Sequence, residues 1–392
     1  MTSWRGTTFD AVVVGSGMVG ACCAHELTAA GLSVAVVDRG DLTSGTTAAG
    51  EGNILVSDKR PGPELELAQR SLQRWDELAT ELDRDIEFEH KGGVVVATTD
   101  GDAAGLRDLA AEQRAADVDA VEVAGDVLHD LEPHLTSDLT AAVHYPQDCQ
   151  VQPILASAAL LHAARSRGAT ILARTAVTGL TTDETGRISG VVTSAGRLAT
   201  RWVINAAGPW SAEVAGLAGS DLPVRPRRGQ VLVTEPCPPL VHHKVYAADY
   251  VTTLVTDADA VQVSPVVEST RGGTILIGSS REFVGFDRTV DVDVVRRQAR
   301  GAVRLFPRLA TVDLMRVYLG FRPWVPDHMP IIGEDPVAPG LVHATGHEGA
   351  GICLGPATAL LVAAVVTQSA GPVDADPFRP DRASLRPELT HG

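Results

Sequence analysis

The sequence predicts an α/β protein of two domains, in which a parallel-sheet domain is interrupted and later resumed, and a second domain is built on an antiparallel sheet. Three observations carry this expectation. The chain opens on a strand, helix, strand unit over residues 9–38. The same strand pattern returns at 170–206 after an intervening stretch of different character. Residues 230–285 then run through short β-rich stretches separated by Gly, Pro or Asp. With 392 residues the chain exceeds the size at which one core usually stops growing, which also favours two domains.

Residues 9–14 (FDAVVV) make a short buried strand that leads directly into Gly15-Ser16-Gly17-Met18-Val19-Gly20. The alanine-rich stretch 21–30 predicts a helix stopped by Gly31, and 33–37 a second strand ending on Asp38. Residues 41–52 are small and polar, a loop in composition, whereas Leu65, Leu72, Trp75, Leu78 and Leu82 give helical spacing across 63–82. A strand is expected at 92–98, a surface helix at 103–116 and turns through LHDLEPHLTSDL. Residues 154–167 read as a helix closed by Gly168, followed by strands at 170–172 and 188–193 joined by a turn at 183–186. A further strand at 201–206 ends in Ala207-Gly208-Pro209-Trp210. QVLVT, VTTLVT, AVQVSPVV and GGTILIGSS predict antiparallel hairpins, 290–306 a helix and 357–367 an apolar helix. The expected domains are 1–90, 146–222 and 320–372 for the first and 91–145 and 223–319 for the second, with 373–392 an extended tail rich in Pro, Asp and Arg.

A formal charge of −16 argues against nucleic acid or an anionic membrane as partner, because both need clustered positive charge. Cys22, Cys23, Cys149, Cys237 and Cys353 are odd in number and lack CxxC spacing, which argues against a secreted disulfide framework and against a cysteine-ligated iron-sulfur or zinc site. His242, His243 and His328 follow no metal-ligand pattern, so no metal is expected. The first residues lack the features of a secretory signal, and 357–367 is too short to span a bilayer, so the expected location is the cytosol, with peripheral membrane attachment left open. Lysine occurs only at Lys59, Lys91 and Lys244, so a pocket formed later in the chain would have to use arginine, a two-pronged donor suited to carboxylates.

Gly15, Gly17 and Gly20 fill the three positions of GxGxxG after a strand and at the mouth of a helix. The first permits a tight turn, the second lets a pyrophosphate approach the backbone, and the third lets helix and strand pack closely; Ser16, Met18 and Val19 complete the phosphate loop. Asp38 lies eighteen residues beyond Gly20, at the end of the next strand, where a carboxylate accepts from ribose hydroxyls. This is the Rossmann-like fingerprint of a dinucleotide site. It does not separate FAD from NAD, and although Asp38 disfavours the phosphate of NADP, neighbouring Arg39 weakens that exclusion.

VVVGSGMVGACCAHELTAAGLSVAVVDRG, TSGTTAAGEGNI, VINAAGPWS, RRGQVLV, FRPWVPDHMPIIG and TGHEGAGICLGPA occur in collinear order over most of the chain. Together they resemble the FAD-dependent D-amino-acid oxidase, glycine oxidase and sarcosine oxidase superfamily, of the glutathione reductase type 2-like fold. The resemblance implies a discontinuous FAD-binding domain and a substrate domain whose antiparallel sheet roofs the flavin. It also implies a set of FAD contacts. Gly45, Thr46, Thr47, Gly50, Gly52 and Asn53 would lie beside the pyrophosphate and ring, and Val177 would meet the adenine by its backbone. Ala206, Ala207, Gly208 and Trp210 would form the return strand, and Gly346, His347, Glu348, Gly349, Gly351 and Ile352 the loop at the pyrimidine end. SGTTAAGEGNILVSDK and GHEGAGICLGPAT look most like the flavin subunits of opine oxidases, D-hydroxyproline dehydrogenases and hydrogen-cyanide-forming glycine dehydrogenases, which implies electron-transfer partner subunits.

The resemblance puts Arg322 at the position that binds an amino-acid carboxylate, a role its bidentate guanidinium suits. Tyr250 and Tyr246 lie where relatives carry a substrate-facing tyrosine, Tyr250 being preferred and a packing role open for both. His347 joins Arg322 and Tyr250 as a catalytic candidate, and it and Glu348 either line the flavin site or hold their loop. Glu51, Asn53 and Trp324 complete the expected pocket, with loop packing the alternative for Trp324. Gly320 stands where monomeric sarcosine oxidases attach FAD through cysteine, so FAD is expected to be noncovalent. With no lysine after Lys244, the oxygen-activating lysine of those enzymes is expected to be absent, which favours a dehydrogenase. The expected reaction oxidises a small D-amino or secondary-amino acid, of the D-proline, D-hydroxyproline, glycine or opine type. Hydride passes to flavin N5 and water hydrolyses the imine. Oxidation of a hydroxy acid, and a noncatalytic flavin subunit that relays electrons, remain as alternatives.

Overall fold

The structure, a computed structural model, describes residues 7–254 and 260–386. Its first sheet is centred on Thr8–Val14, which pairs in parallel with Val34–Val37 on one side and Gly196–Asn205 on the other. Thr170–Leu172 continues the parallel sheet beyond Val34–Val37, and Leu341–Thr345 continues it beyond Gly196–Asn205, with Ile331–Glu334 added antiparallel. Alternate side chains feed two cores, as the twofold period of a strand requires. Ala11, Val13, Val34 and Val36 face helices Met18–Ala29, Pro153–Ser166 and Gly351–Thr367; Val12, Val14, Ala35 and Val37 face Ile188, Val191 and Leu198.

The second sheet runs in the order Leu314–Trp324, Arg225–Thr234, Ile275–Arg281, Gln262–Ser269, Lys244–Ala247, Gly93–Ala97, Ala141–Tyr145, Val121–Glu122. It is antiparallel except where Lys244–Ala247 pairs with Gly93–Ala97. Helix Val292–Leu305 covers one face, its Ala302 and Leu305 packing with Leu232 and Ile277.

Several expectations are corrected. The turn at 183–186 joins Ile188–Thr193 to a strand at Val177–Thr182 that the composition had hidden, not to Thr170–Leu172, which belongs to the parallel sheet. VTTLVT, expected as a strand, begins within helix Asp249–Leu254, and its last two residues lie outside the described ones. There the buried Tyr250 and Val251 decide the conformation over β-branched propensity. Helix Gly351–Thr367 starts six residues before the expected 357, because the glycine-rich stretch packs closely on the first helix instead of forming a loop. Part of the turn-rich stretch is helical, at Gly125–Leu131. The tail is docked as far as 386: Phe378 and Leu385 are buried, and Arg382 pairs with Asp327 at 2.6 Å. Gly320, the expected start of a domain segment, lies inside the strand Leu314–Trp324.

Among the described residues no helix is long and apolar enough to cross a membrane, and no group of side chains could hold a metal ion.

Candidate active site

A cavity of about 550 Å³ lies between the carboxyl ends of the parallel strands and one face of the second sheet. Ligands of open α/β sheets collect at that edge. Val14, Val37, Ala206 and Thr345 form the first wall; Gly229, Val231, Gly320 and Arg322 form the second.

The phosphate end is built by the opening fingerprint. Gly15 has φ +105°, and a Cβ there would overlap the Ala206 carbonyl oxygen, so only glycine brings the two strands together. Helix Met18–Ala29 starts without a side-chain cap, and its Met18 N–H donates to Thr47 Oγ1 at 2.8 Å. Asp38 Oδ2 accepts from the Ser16 N–H at 2.8 Å and from the Ser16 hydroxyl at 2.6 Å, which fixes the carboxylate at the cavity edge. Arg39 lies 4.1 Å over the Trp210 ring, and Trp210 stacks on Phe286 at 5.2 Å.

Of the residues expected at the cofactor, Gly15, Gly17, Met18, Val19, Asp38, Arg39, Gly45, Thr46, Thr47, Gly50, Asn53, Val177, Ala206, Gly208, Trp210, His347, Glu348, Gly349, Gly351 and Ile352 line the cavity. Ser16, Gly20, Gly52 and Gly346 do not. Ser16 bonds Asp38 from behind the wall, and Gly52 donates its N–H to Glu268 at 3.0 Å.

At the far end, Arg322 donates to the Ser280 carbonyl at 2.8 Å. Burial and the neighbouring Arg281 guanidinium push its pKa down to about 10. Glu348 and Glu51 act in the opposite sense on Arg322 from farther off. Tyr250 lines the same end, with Arg281 stacked 4.8 Å from its ring. Glu51 lines it too, and burial raises its pKa despite Lys244 and Arg322 nearby.

Two expected pocket residues are elsewhere. Tyr246 is fully buried in the core and donates to Ser57 Oγ at 2.7 Å. Trp324 lies outside the cavity wall and packs edge-on against Phe283 at 5.3 Å. In each case a neighbour on the same segment takes the wall, Tyr250 and Arg322. His347 is on the wall but remains neutral, since burial lowers its pKa to about 3 and its Nε2 meets Thr358 Oγ1 at 2.9 Å. Glu348 is held by Arg227 at 3.3 Å and His328 at 3.2 Å.

The sequence pattern passes over Lys244, which falls in none of the stretches that carry the resemblance. Lys244 lies directly behind Glu51, 2.9 Å from Glu268, and bonds Asn53 Oδ1. Arg281 and Gly229, whose positions depend on strand register, are not singled out by the pattern either.

The fold and cavity define a dinucleotide-binding α/β protein whose cavity runs between a parallel sheet and a largely antiparallel one. The chain belongs to the DAO family, FAD dependent oxidoreductases, whose profile matches residues 10–365. The hydrogen cyanide synthase subunit HcnC of Pseudomonas aeruginosa is 31% identical, over 97% of each chain. The glycine oxidase of Geobacillus kaustophilus is 29% identical over 94% of this chain and 96% of its own. The crystal structure of glycine oxidase from Geobacillus kaustophilus superposes with a TM-score of 0.86, covering 96% of this chain and 99% of the other at 28% identity. The protein is thus an FAD-dependent oxidoreductase, and the Gly15 turn, the helix start behind it and the cavity of about 550 Å³ suit that cofactor.

Proposed function

We propose that the protein oxidises a small amino acid or secondary-amino acid, of the glycine, D-proline, D-hydroxyproline or opine type, with noncovalently held FAD. The observation that carries this reading is Arg322, a buried cation open to the cavity with no carboxylate in direct contact among the described residues. A substrate carboxylate supplies the missing charge, and the guanidinium fork fixes its orientation. FAD, when bound, supplies the acceptor for two electrons. The chain's own residues bind and orient: Arg322 takes the carboxylate, Tyr250 forms the adjoining wall, and His347, neutral, fills the loop side without competing for the anion.

Noncovalent attachment is supported by the absence of cysteine among the described residues of the cavity wall. The similarity to a synthase subunit supports a partner that accepts the electrons, and five free thiols support a reducing compartment such as the cytosol. Product analysis tests the reading. Incubation with glycine or D-proline and an artificial electron acceptor yields the imine-derived acid, with ammonia from glycine. Turnover of glycolate or lactate with neither amino acid oxidised would replace it with hydroxy-acid oxidation.

A further inference from the structure

The Glu51 side chain is 8% exposed, and its Oε1 has no hydrogen-bond donor among the described residues, although it lies on the cavity wall. A buried carboxylate oxygen left without a donor is costly unless something arrives to meet it. Its other oxygen is reached only at 3.4 Å, by Asn53 Nδ2. Behind it, Lys244 stands 3.6 Å from Oε1 but spends its bonds on Glu268 and Asn53 Oδ1. Two carboxylates thus share one ammonium at this wall.

The positive wall is close by. Strand Ile275–Arg281 carries both: the Glu51 carboxylate packs against Gly278, and Arg322 donates to the carbonyl of Ser280. Glu51 and Arg322 thus border the same short stretch of that strand and both line the cavity, so one α-amino acid meets a carboxylate and a guanidinium at its two ends. The charged and titratable groups around Glu51 are Lys244 and Glu268 behind, Arg322 across, and Tyr318, whose hydroxyl is bonded to the Gly50 carbonyl.

We propose that Glu51 receives the ammonium of the substrate and removes its proton, while Arg322 holds the carboxylate. This rests on the amino-acid reading above. In the step an N–H bond of the ammonium breaks, the electron pair stays on nitrogen, and the proton bonds to Glu51 Oε1; nothing is oxidised or reduced. The product is the neutral amine needed for oxidation and a neutral carboxyl group. Lys244 and Glu268 are positioning residues that hold Glu51 and limit its negative charge.

The test uses the full-length FAD-loaded protein and its Glu51→Gln variant, with Glu51→Asp as the conservative form. Glycine and acetate binding are followed through the visible spectrum of the flavin without oxygen, and the rate of bleaching by glycine and D-proline is followed from pH 6 to 10. In the unaltered protein glycine binds at least about 10-fold tighter than acetate. Glu51→Gln abolishes that preference while acetate affinity stays within about 2-fold. It also slows bleaching at pH 7 by about 10²-fold, moves the controlling ionisation up to that of the free amine, and Glu51→Asp restores part of both. An unchanged preference and pH profile in Glu51→Gln would overturn the proposal, as would equal loss of acetate and FAD binding, which would mark a structural role. Glycine binding no tighter than acetate in the unaltered protein would also overturn it. The amino-acid reading itself fails separately, if no amino acid bleaches the unaltered protein.

Discussion

The guanidinium of Arg322 occupies the space that a side chain at Gly229 would take: a Cβ on Gly229 would lie 2.7 Å from Arg322 Cζ. The two residues face each other diagonally across paired strands, since Arg322 is in register with Arg227 and Gly229 with Gly320. The anion site is thus a product of sheet register as much as of the arginine.

Gly229→Ala should displace the guanidinium without touching the phosphate end. The expected result is a fall of about 10²-fold in kcat/KM, carried mainly by KM, with FAD content unchanged. Steady-state kinetics beside a flavin spectrum measure both.

Arg322→Lys keeps the charge but loses the fork. Losing one hydrogen bond of a charged pair costs about 1.5–3 kcal/mol, so kcat/KM for the amino acid should fall by roughly 10- to 150-fold, with FAD still bound.

Gly15→Ala should act at the opposite end. Its φ of +105° and the overlap with Ala206 predict loss of FAD from the purified protein, seen as loss of the visible flavin band relative to protein absorbance.

Much of this was legible in the sequence because the signals are local. The GxGxxG turn, its helix and Asp38 lie within one short stretch, and the motif resemblance pointed to Arg322. What was not legible depends on side chains brought together across strands. Tyr246 and Tyr250 are four residues apart and chemically alike, yet one lies in a core strand and the other in the first turn of the short helix at the cavity. Lys244 and Glu268 come from neighbouring strands to stand behind Glu51, and no spacing in the sequence announces it.

Tyr246→Phe checks that distinction. Loss of the hydrogen bond to Ser57 should cost about 1 kcal/mol of stability in denaturant unfolding, with kcat/KM altered by less than about 2-fold.

His347 predicts a pH dependence of stability. In the unfolded chain its imidazole takes up a proton near 6.5, whereas in the folded protein burial lowers the value to about 3. Stability present above pH 6.5 is therefore lost as pH falls toward 3, with a slope of up to about 1.4 kcal/mol per pH unit from this group. Urea unfolding at pH 7, 6 and 5 should show the decline, and His347→Asn should flatten it.

The most direct test of amino-acid oxidation is anaerobic bleaching of the flavin band by a panel of glycine, sarcosine, D-alanine, D-proline and D-hydroxyproline, with glycolate and lactate alongside. The account predicts rapid bleaching by at least one amino acid and none by the hydroxy acids. Bleaching by a hydroxy acid alone, or an oxidised flavin untouched by every amino acid even with an electron-accepting partner present, would contradict it.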